Sequence, residues 1–337
     1  MPRDPAYHSL AVADVVDETA DARSFVLEVP PALEKVFEYA AGQFCTFRAT
    51  IGGESVARCY SMSSSPDAGD RFTVTVKRVS GGKMSNWMND ALATGHAIDA
   101  SPPAGRFVLG AGETPIVAFA GGSGITPLLS IIKTALVTTP REIALVYANR
   151  DAGSVIFGRE LERLRGGSSG RLSVHHHLDS ERGFLDAAAC ASLVGDRLHA
   201  DFYVCGPGPY MEVVETGLAR RGVAPDQVFI ERFELADELA PTETSETESI
   251  AIRLDRRKQT VRYEPGETIL HAARRAGLRP PFACEAGSCG TCMAFLEEGK
   301  VAMRRNNALS AEEVEAGWVL TCQAVPLSRA VVVDYDR

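Results

Sequence analysis

Three cysteines fall within nine residues, Cys284-Glu-Ala-Gly-Ser-Cys289-Gly-Thr-Cys292, and a fourth, Cys322, follows downstream. The other four, Cys45, Cys59, Cys190 and Cys205, are scattered along the chain. The opening stretch MPRDPAYHSLAVADVVDETADA has no apolar h-region and no small-residue cleavage site, which predicts a cytoplasmic protein. In a reducing compartment an even cysteine count is poor ground for disulfides, whereas clustered thiols point to a metal or a redox group. Whatever else this chain folds into, it has to bring four sulfurs to one place.

The spacing C-x4-C-x2-C with a distant fourth cysteine resembles that of plant-type 2Fe-2S ferredoxins, in which four thiolates hold two sulfide-bridged irons. Gly287, Ser288 and Gly290 keep the loop small enough for backbone amides to approach the sulfurs, contacts that help set a reduction potential. A structural zinc site also takes four thiolates, but zinc ribbons bring two short C-x2-C pairs and here there is one. Around the loop, residues 250–337 read as a hairpin, IAIRLDRRKQTVRYE, then a helix, TILHAARRAGL, with Thr268 as its cap. The resemblance covers this whole segment and implies an α+β, β-grasp 2Fe-2S domain with Cys284, Cys289, Cys292 and Cys322 as metal ligands.

The chain has 337 residues, enough for two or three domains, and its 45% apolar and 23% charged residues suit a globular protein. With 35 basic and 44 acidic residues the net charge is -9, which argues against a broad nucleic-acid-binding surface. No apolar run approaches the roughly 18 to 20 residues of a membrane span. Residues 1–112 carry short β-rich runs, HSLAVADVV, SFVLEV, GQFCTF, VARCYSMS and RFTVTVKRV, between Gly, Pro and Asp turns, with a helix-like segment at 85–92. That spacing predicts an antiparallel β-barrel. Over 113–233, buried strand-like runs (PIVAFA, EIALVYA, RLSVHHHL, ADFYVCG, QVFIERF) alternate with helical stretches such as PLLSIIKTAL and YMEVVETGLARR, the signature of a doubly wound α/β domain. Residues 234–249 hold six acids and no base and read as a solvated linker. The 13 basic and 11 acidic residues of 250–337 leave the negative charge to the rest of the chain.

Arg58-Cys59-Tyr60-Ser61 closes one barrel strand, and Gly81-Gly82-Lys83-Met84-Ser85 stands just before the short helix. An arginine can pair with a pyrophosphate, a tyrosine offers a flat face to a ring, a serine offers a hydroxyl, and Gly82, Lys83, Met84 and Ser85 would set amides at a helix N-terminus. In this order the two motifs resemble the R-x-Y-S and G-G-x-x-S flavin motifs of the ferredoxin-NADP reductase superfamily, which implies bound FAD.

Directly after PIVAFA comes Ala120-Gly121-Gly122-Ser123-Gly124-Ile125-Thr126-Pro127, a phosphate-facing turn built on Gly122 and Gly124, with Thr126 as N-cap and Pro127 at the first helical position. It departs from G-x-G-x-x-G but resembles the nicotinamide-nucleotide loop of the same superfamily. Cys205-Gly206-Pro207 and Glu231-Arg232-Phe233 end later strands on the face where ligands of such sheets bind. The resemblance implies that Cys205 and Glu231 lie near the nicotinamide and that Phe233 covers the flavin, where plant members carry a tyrosine; with Ser61 these are the residues expected at the reacting atoms. Asn149-Arg150-Asp151 ends the second strand, where an acid would accept ribose hydroxyls and an arginine would favour a 2′-phosphate. His175, His176 and His177 resemble a metal cluster, but successive strand residues point to opposite faces.

The order of barrel, nucleotide domain and C-terminal ferredoxin resembles the reductase components of multicomponent oxygenases over nearly the whole chain. RCYSMSSSP, VKRVSGGKMSNW, YANRDAGSVIFGREL and CGPGPYM are most similar to the reductases of 3-ketosteroid 9α-hydroxylase systems and, somewhat less, of phenylacetyl-CoA epoxidase. This implies an NAD(P)H-dependent oxidoreductase that passes electrons through FAD to a 2Fe-2S cluster near about -400 mV and on to a separate terminal oxygenase with a Rieske, non-haem or di-iron centre, in steroid or aromatic-compound degradation. The subgroup favours NADH, with NADPH as the alternative. A zinc- or cluster-containing redox-sensing or binding protein without turnover is the reading from another class.

Overall fold

The structure is a computed structural model and describes residues 7–233, 247–282, 284, 285, 287 and 289–337. Most of the expected acidic linker lies outside these residues, as does Ser288. The chain divides into two compact units, residues 7–103 with 107–233, and residues 104–106 with 247–337.

The first unit opens with strands β1 (His8–Thr19), β2 (Ala22–Glu28), β3 (Phe44–Ile51), β4 (Glu54–Ser61) and β5 (Thr73–Lys77), helix α1 (Lys83–Ala91) and strand β6 (Ala97–Ala100). They form a six-stranded sheet in the order β4-β3-β6-β1-β2-β5, with every pair antiparallel. A bridge from Met62, just past β4, to Val74 in β5 joins its two edges into the expected barrel. Leu10, Val12, Phe25, Phe47, Val74 and Val76 fill the interior, and α1 adds Met84 and Met88, one turn apart on one face. Each such side chain contributes about 1.5–3 kcal/mol by leaving water.

Strands β7 (Ile116–Gly121), β8 (Ile143–Asn149), β9 (Leu172–Leu178), β10 (Asp201–Cys205) and β11 (Val228–Glu231) form a parallel sheet in the order β11-β10-β7-β8-β9. Helices α2 (Ile125–Thr138), α3 (Gly158–Gly167), α4 (Asp179–Arg182), α5 (Ala187–Val194) and α6 (Gly208–Arg220) run between them. Every residue of β7 is buried, as expected for a central strand covered on both faces. The chain walks from β7 to β9 on one side and then returns to β10 on the other, so the switch point lies between β7 and β10.

Ala22, Ala41 and Phe107 of the barrel side pack into the core of this second sheet, which makes the two sheets one unit. Arg141, fully buried, bolts the connection: it donates to the carbonyls of Gly110 and Thr114 and pairs with Asp201. Tyr203 Oη accepts from Gly110 N at 2.8 Å. Pairing and satisfying a buried guanidinium in this way offsets the penalty of taking its charge out of water.

The second unit holds β12 (Ser249–Leu254), β13 (Arg257–Arg262), α7 (Ile269–Arg275), β14 (Met293–Glu298), β15 (Val301–Met303), α8 (Ala311–Glu315), β16 (Trp318–Leu320), β17 (Ala324–Pro326) and β18 (Ala330–Asp334). Its main sheet runs β13-β12-β18-β14-β16, with β12 and β18 parallel and the other pairs antiparallel; β15 and β17 pair separately. Ile250, Ile252, Val261, Ile269, Val331 and Val333 form its core under α7. Thr268 caps α7 as expected, its hydroxyl accepting from His271 N at 3.3 Å.

Candidate functional site

At the carboxyl ends of β7 and β10 the register sets Cys205 beside Ala120 on one side and beside Glu231 on the other. The glycines that follow are small because backbone meets backbone there. A Cβ on Gly124 would run into the Cys205 carbonyl oxygen, and one on Gly206 would sit 3.1 Å from Gly121 Cα and 2.7 Å from the Tyr210 ring. Gly122 has φ +51°. The chain leaves β7 through a tight 3-10 turn, Gly122–Gly124, and enters α2 at once, so Gly124 is the N-cap and has no side chain to satisfy the first amides. Thr126 is therefore not the N-cap: it lies inside the first turn, and its hydroxyl donates back to Ser123 O at 3.1 Å. The uncapped amides and the helix dipole remain for an anionic ligand.

Cys205 is fully buried, and burial together with the nearby Glu231 carboxylate pushes its thiol up, so it stays protonated. Glu231 is buried as well, whereas Phe233 is 39% exposed. At the end of β8, Asn149 is 4% exposed and neither atom of its amide has a hydrogen-bond partner. Asp151 spends one carboxylate oxygen on capping the turn Ala152–Ser154, accepting from Ser154 N at 2.9 Å. Arg150 reaches to Asp21, on the β1–β2 turn, at 2.9 Å. The same Asp21 oxygen is 4.0 Å from Lys77 Nζ, and that ammonium stands 3.5 Å from where a Cβ on Gly122 would be. Burial pulls the Lys77 ammonium down. Sequence reasoning missed both Lys77 and Asp21; the one local sign was a cation closing the strand TVTVK four residues before Gly81.

On the barrel, Tyr60 and Ser61 end β4 with Arg58 exposed two residues earlier. Arg58 donates to Ala57 O at 2.7 Å. Tyr60 is half-buried beside Phe47, with ring centres 6.1 Å apart, and burial pushes its hydroxyl up. Ser61 is 2% exposed and its Oγ has no hydrogen-bond partner, a state that costs about 1–3 kcal/mol unless a bound group supplies one. Gly82 caps α1 without a side-chain bond, leaving that N-terminus open too. Ser85 Oγ is committed to the turn, accepting from Val79 N at 3.1 Å, while Lys83 pairs with Glu54 at 2.5 Å. The Met84 side chain belongs to the barrel core, so only its backbone is left to face a ligand. An orphaned hydroxyl, a half-buried aromatic and an uncapped helix end fit a flavin nucleotide.

In the second unit Cys289 interacts most strongly with Cys284, and Cys292 with Cys322. Two thiolates for each of two irons is the arrangement a 2Fe-2S cluster takes. The Cys284 contact draws the Cys289 thiol down to about 6; the Cys322 contact draws Cys292 down and pushes Cys322 up. Donors already point at the sulfurs: Thr291 N to Cys289 Sγ at 3.4 Å and Gln323 Nε2 to Cys322 Sγ at 3.6 Å. Gly287, at φ +77°, has its missing Cβ 2.9 Å from Arg305 O. Arg274 clamps the loop's first turn, pairing with Glu285 at 3.2 Å over the Phe282 ring. The donor set fits the cluster.

His175, His176 and His177 alternate along β9 as expected, and His177 Nε2 is bonded to Gly183 O at 2.9 Å. No helix among the described residues is long and apolar enough to cross a membrane.

Comparison with known proteins covers nearly the whole chain. Residues 9–109 match the oxidoreductase FAD-binding domain family, 119–216 the oxidoreductase NAD-binding domain family and 252–327 the 2Fe-2S iron-sulfur cluster binding domain family. The ferredoxin reductase component of 3-ketosteroid-9-alpha-monooxygenase from Rhodococcus rhodochrous is 38% identical over 97% of this chain and 96% of its own. A 1,2-phenylacetyl-CoA epoxidase subunit from Escherichia coli (strain K12) is 35% identical over 98% of both chains. Among solved structures, phthalate dioxygenase reductase, described as a modular structure for electron transfer from pyridine nucleotides to [2Fe-2S], superposes with a TM-score of 0.63 at 25% identity over 97% of this chain and 98% of its own. The chain belongs to the family of reductase components of oxygenase systems, NAD(P)H-dependent oxidoreductases that carry FAD- and NAD-binding domains and a 2Fe-2S ferredoxin domain.

Proposed function

We propose that this reductase draws its electrons from NADH and serves, in the cytoplasm, a terminal oxygenase whose Rieske, non-haem or di-iron centre attacks a steroid or an aromatic compound. The observation that carries the chemistry is the meeting, in one unit, of a strand end with a buried unpartnered hydroxyl, Ser61, and a side-chain-free glycine face at the switch point of a parallel sheet. The substrate class rests on the relatives' names. When bound, FAD accepts a hydride and gives up electrons singly to the cluster.

The residues divide the work. Arg58 and the amides of Gly82, Lys83, Met84 and Ser85 hold the flavin's phosphates, Tyr60 and Phe233 face its ring, and Ser61 offers its hydroxyl to the reactive nitrogen. Gly122, Gly124 and the first turn of α2 around Thr126 take the nicotinamide nucleotide's phosphates with Lys77. Cys205, kept neutral, and Gly206 and Pro207 give the nicotinamide a smooth floor, with the Glu231 carboxylate at its edge. Asn149 and Asp151 meet the adenosine ribose. Cys284, Cys289, Cys292 and Cys322 hold the irons.

Purified protein should contain bound flavin with about two irons and two sulfides per chain, and should reduce a dye with NADH at a far higher kcat/KM than with NADPH. Stoichiometric zinc without flavin absorbance would refute this reading, and a preference for NADPH would refute its choice of nucleotide.

A further inference from the structure

Arg150 ends the second strand of the nucleotide sheet, where an arginine accommodates the 2′-phosphate of NADPH. In this structure it is committed elsewhere. Its guanidinium donates from Nη2 to Asp21 Oδ2 at 2.9 Å, and Asp21 belongs to the barrel, on the turn between β1 and β2. That turn is braced: Thr19 Oγ1 donates to Asp21 Oδ1 at 2.9 Å, and Arg78 N donates to Asp21 O at 2.7 Å. The carboxylate is 25% exposed and the guanidinium 66%, so the fixed member of the pair is the acid and the arginine comes to it. Lys77 Nζ lies 4.0 Å from the same oxygen and 3.5 Å from where a Cβ on Gly122 would be.

We infer that Asp21 is a specificity-determining residue of the nucleotide site: it holds Arg150 away from the adenosine ribose and sets a negative charge beside it, so that a 2′-phosphate meets neither a free cation nor a neutral rim. Asn149, with its buried unpartnered amide, and Asp151, with one carboxylate oxygen uncommitted to its turn, are left to serve a ribose that carries hydroxyls. A dianionic phosphate entering this corner has to displace Asp21 from Arg150 and then lie next to it. The inference rests on the NADH-dependent reading above and adds the residue that enforces it, one supplied by the barrel and not by the nucleotide sheet.

The test uses the flavin- and cluster-loaded protein with two readouts: the ratio of kcat/KM for NADPH to that for NADH, and calorimetric binding of 2′,5′-ADP against 5′-AMP. Asp21→Asn removes the charge and keeps an acceptor for Thr19. It should raise the NADPH:NADH ratio about two- to fivefold, the scale of one exposed charge pair, and tighten 2′,5′-ADP relative to 5′-AMP by a similar factor. Asp21→Glu should restore the wild-type ratio, and Asp21→Asn combined with Arg150→Ala should lose the gain. An unchanged ratio in Asp21→Asn, or a gain that survives the loss of Arg150, overturns the inference. Wild-type protein inert with both nucleotides would refute the functional reading itself, whereas brisk NADH turnover with an indifferent Asp21→Asn refutes only the role of Asp21.

Discussion

In the cysteine loop the chemistry on offer is that of side chains, with the backbone in support, whereas at the carboxyl ends of β7 and β10 the side chains are absent so that backbone can meet backbone. Cys284, Cys289 and Cys292 come from nine consecutive residues and need only Cys322 from elsewhere, with Thr291 N and Gln323 Nε2 already aimed at sulfur. The glycine face draws on the ends of two strands 84 positions apart, Gly121 and Cys205, and Lys77 reaches it from the barrel. A site made of ligating side chains fails when a ligand is removed. One made of close backbone contacts fails when an atom is added.

The largest effect expected from this contrast is that of Cys289→Ser. Losing one thiolate of a pair should abolish the cluster's absorbance and electron delivery to the oxygenase, while NADH continues to bleach the flavin and feed a dye; stopped-flow absorbance with iron analysis checks it. Equal loss of both activities would mean that the units are not separable. Gly124→Ala probes the opposite failure. Its methyl group meets the Cys205 carbonyl, so the protein should lose about 1–3 kcal/mol in denaturant titrations and about a hundredfold in kcat/KM for NADH, with iron content intact.

Ser61→Ala sharpens the comparison because its sign depends on what is bound. In flavin-free protein, removing a buried hydroxyl with no partner should stabilise the unit by about 1 kcal/mol, while the flavin-loaded variant should transfer hydride about tenfold more slowly. A destabilised flavin-free variant would show that the hydroxyl has a partner within the protein. The smallest effect belongs away from both sites. The Arg163 hydrogen bond holds the Glu160 carboxyl down to about 2, against burial, with Lys133 helping. A depressed carboxyl stabilises above its unfolded value of about 4.3 and loses that contribution as pH falls through about 2. Glu160→Gln should therefore cost under about 1 kcal/mol at pH 7 in this partly exposed pair and progressively less as pH falls from about 4 towards 2, as read by thermal unfolding across that range.

What could be read before folding follows the same division. The candidate cluster cysteines stood out because three are near neighbours with a fixed spacing, and the five strands of the nucleotide sheet were legible because both faces of a buried parallel strand are apolar. Strand β6, only four residues of AIDA, has a single β-branched residue and gave no pattern; α3, GRELERLRGG, is too charged to show an apolar stripe. Thr126 looked like a cap because the residue type is right, but the 3-10 turn before α2 moves the helix start upstream. Met84 sits inside a flavin motif, yet helical periodicity sends its side chain into the barrel with Met88. Asp21 and Lys77 were invisible because each matters through a residue more than 40 positions away, Arg150 for Asp21 and Gly122 for Lys77, which only the packing of barrel against sheet brings near.

The most direct test of the central claim, that nicotinamide oxidation and single-electron delivery occupy separate sites in one chain, is an anaerobic NADH titration of wild-type and Cys289→Ser protein, with flavin followed by absorbance and the reduced cluster by electron paramagnetic resonance. Flavin bleaching in both proteins, with a cluster signal in the wild type alone, is the predicted result. A Cys289→Ser protein that holds flavin but cannot be reduced by NADH would contradict it.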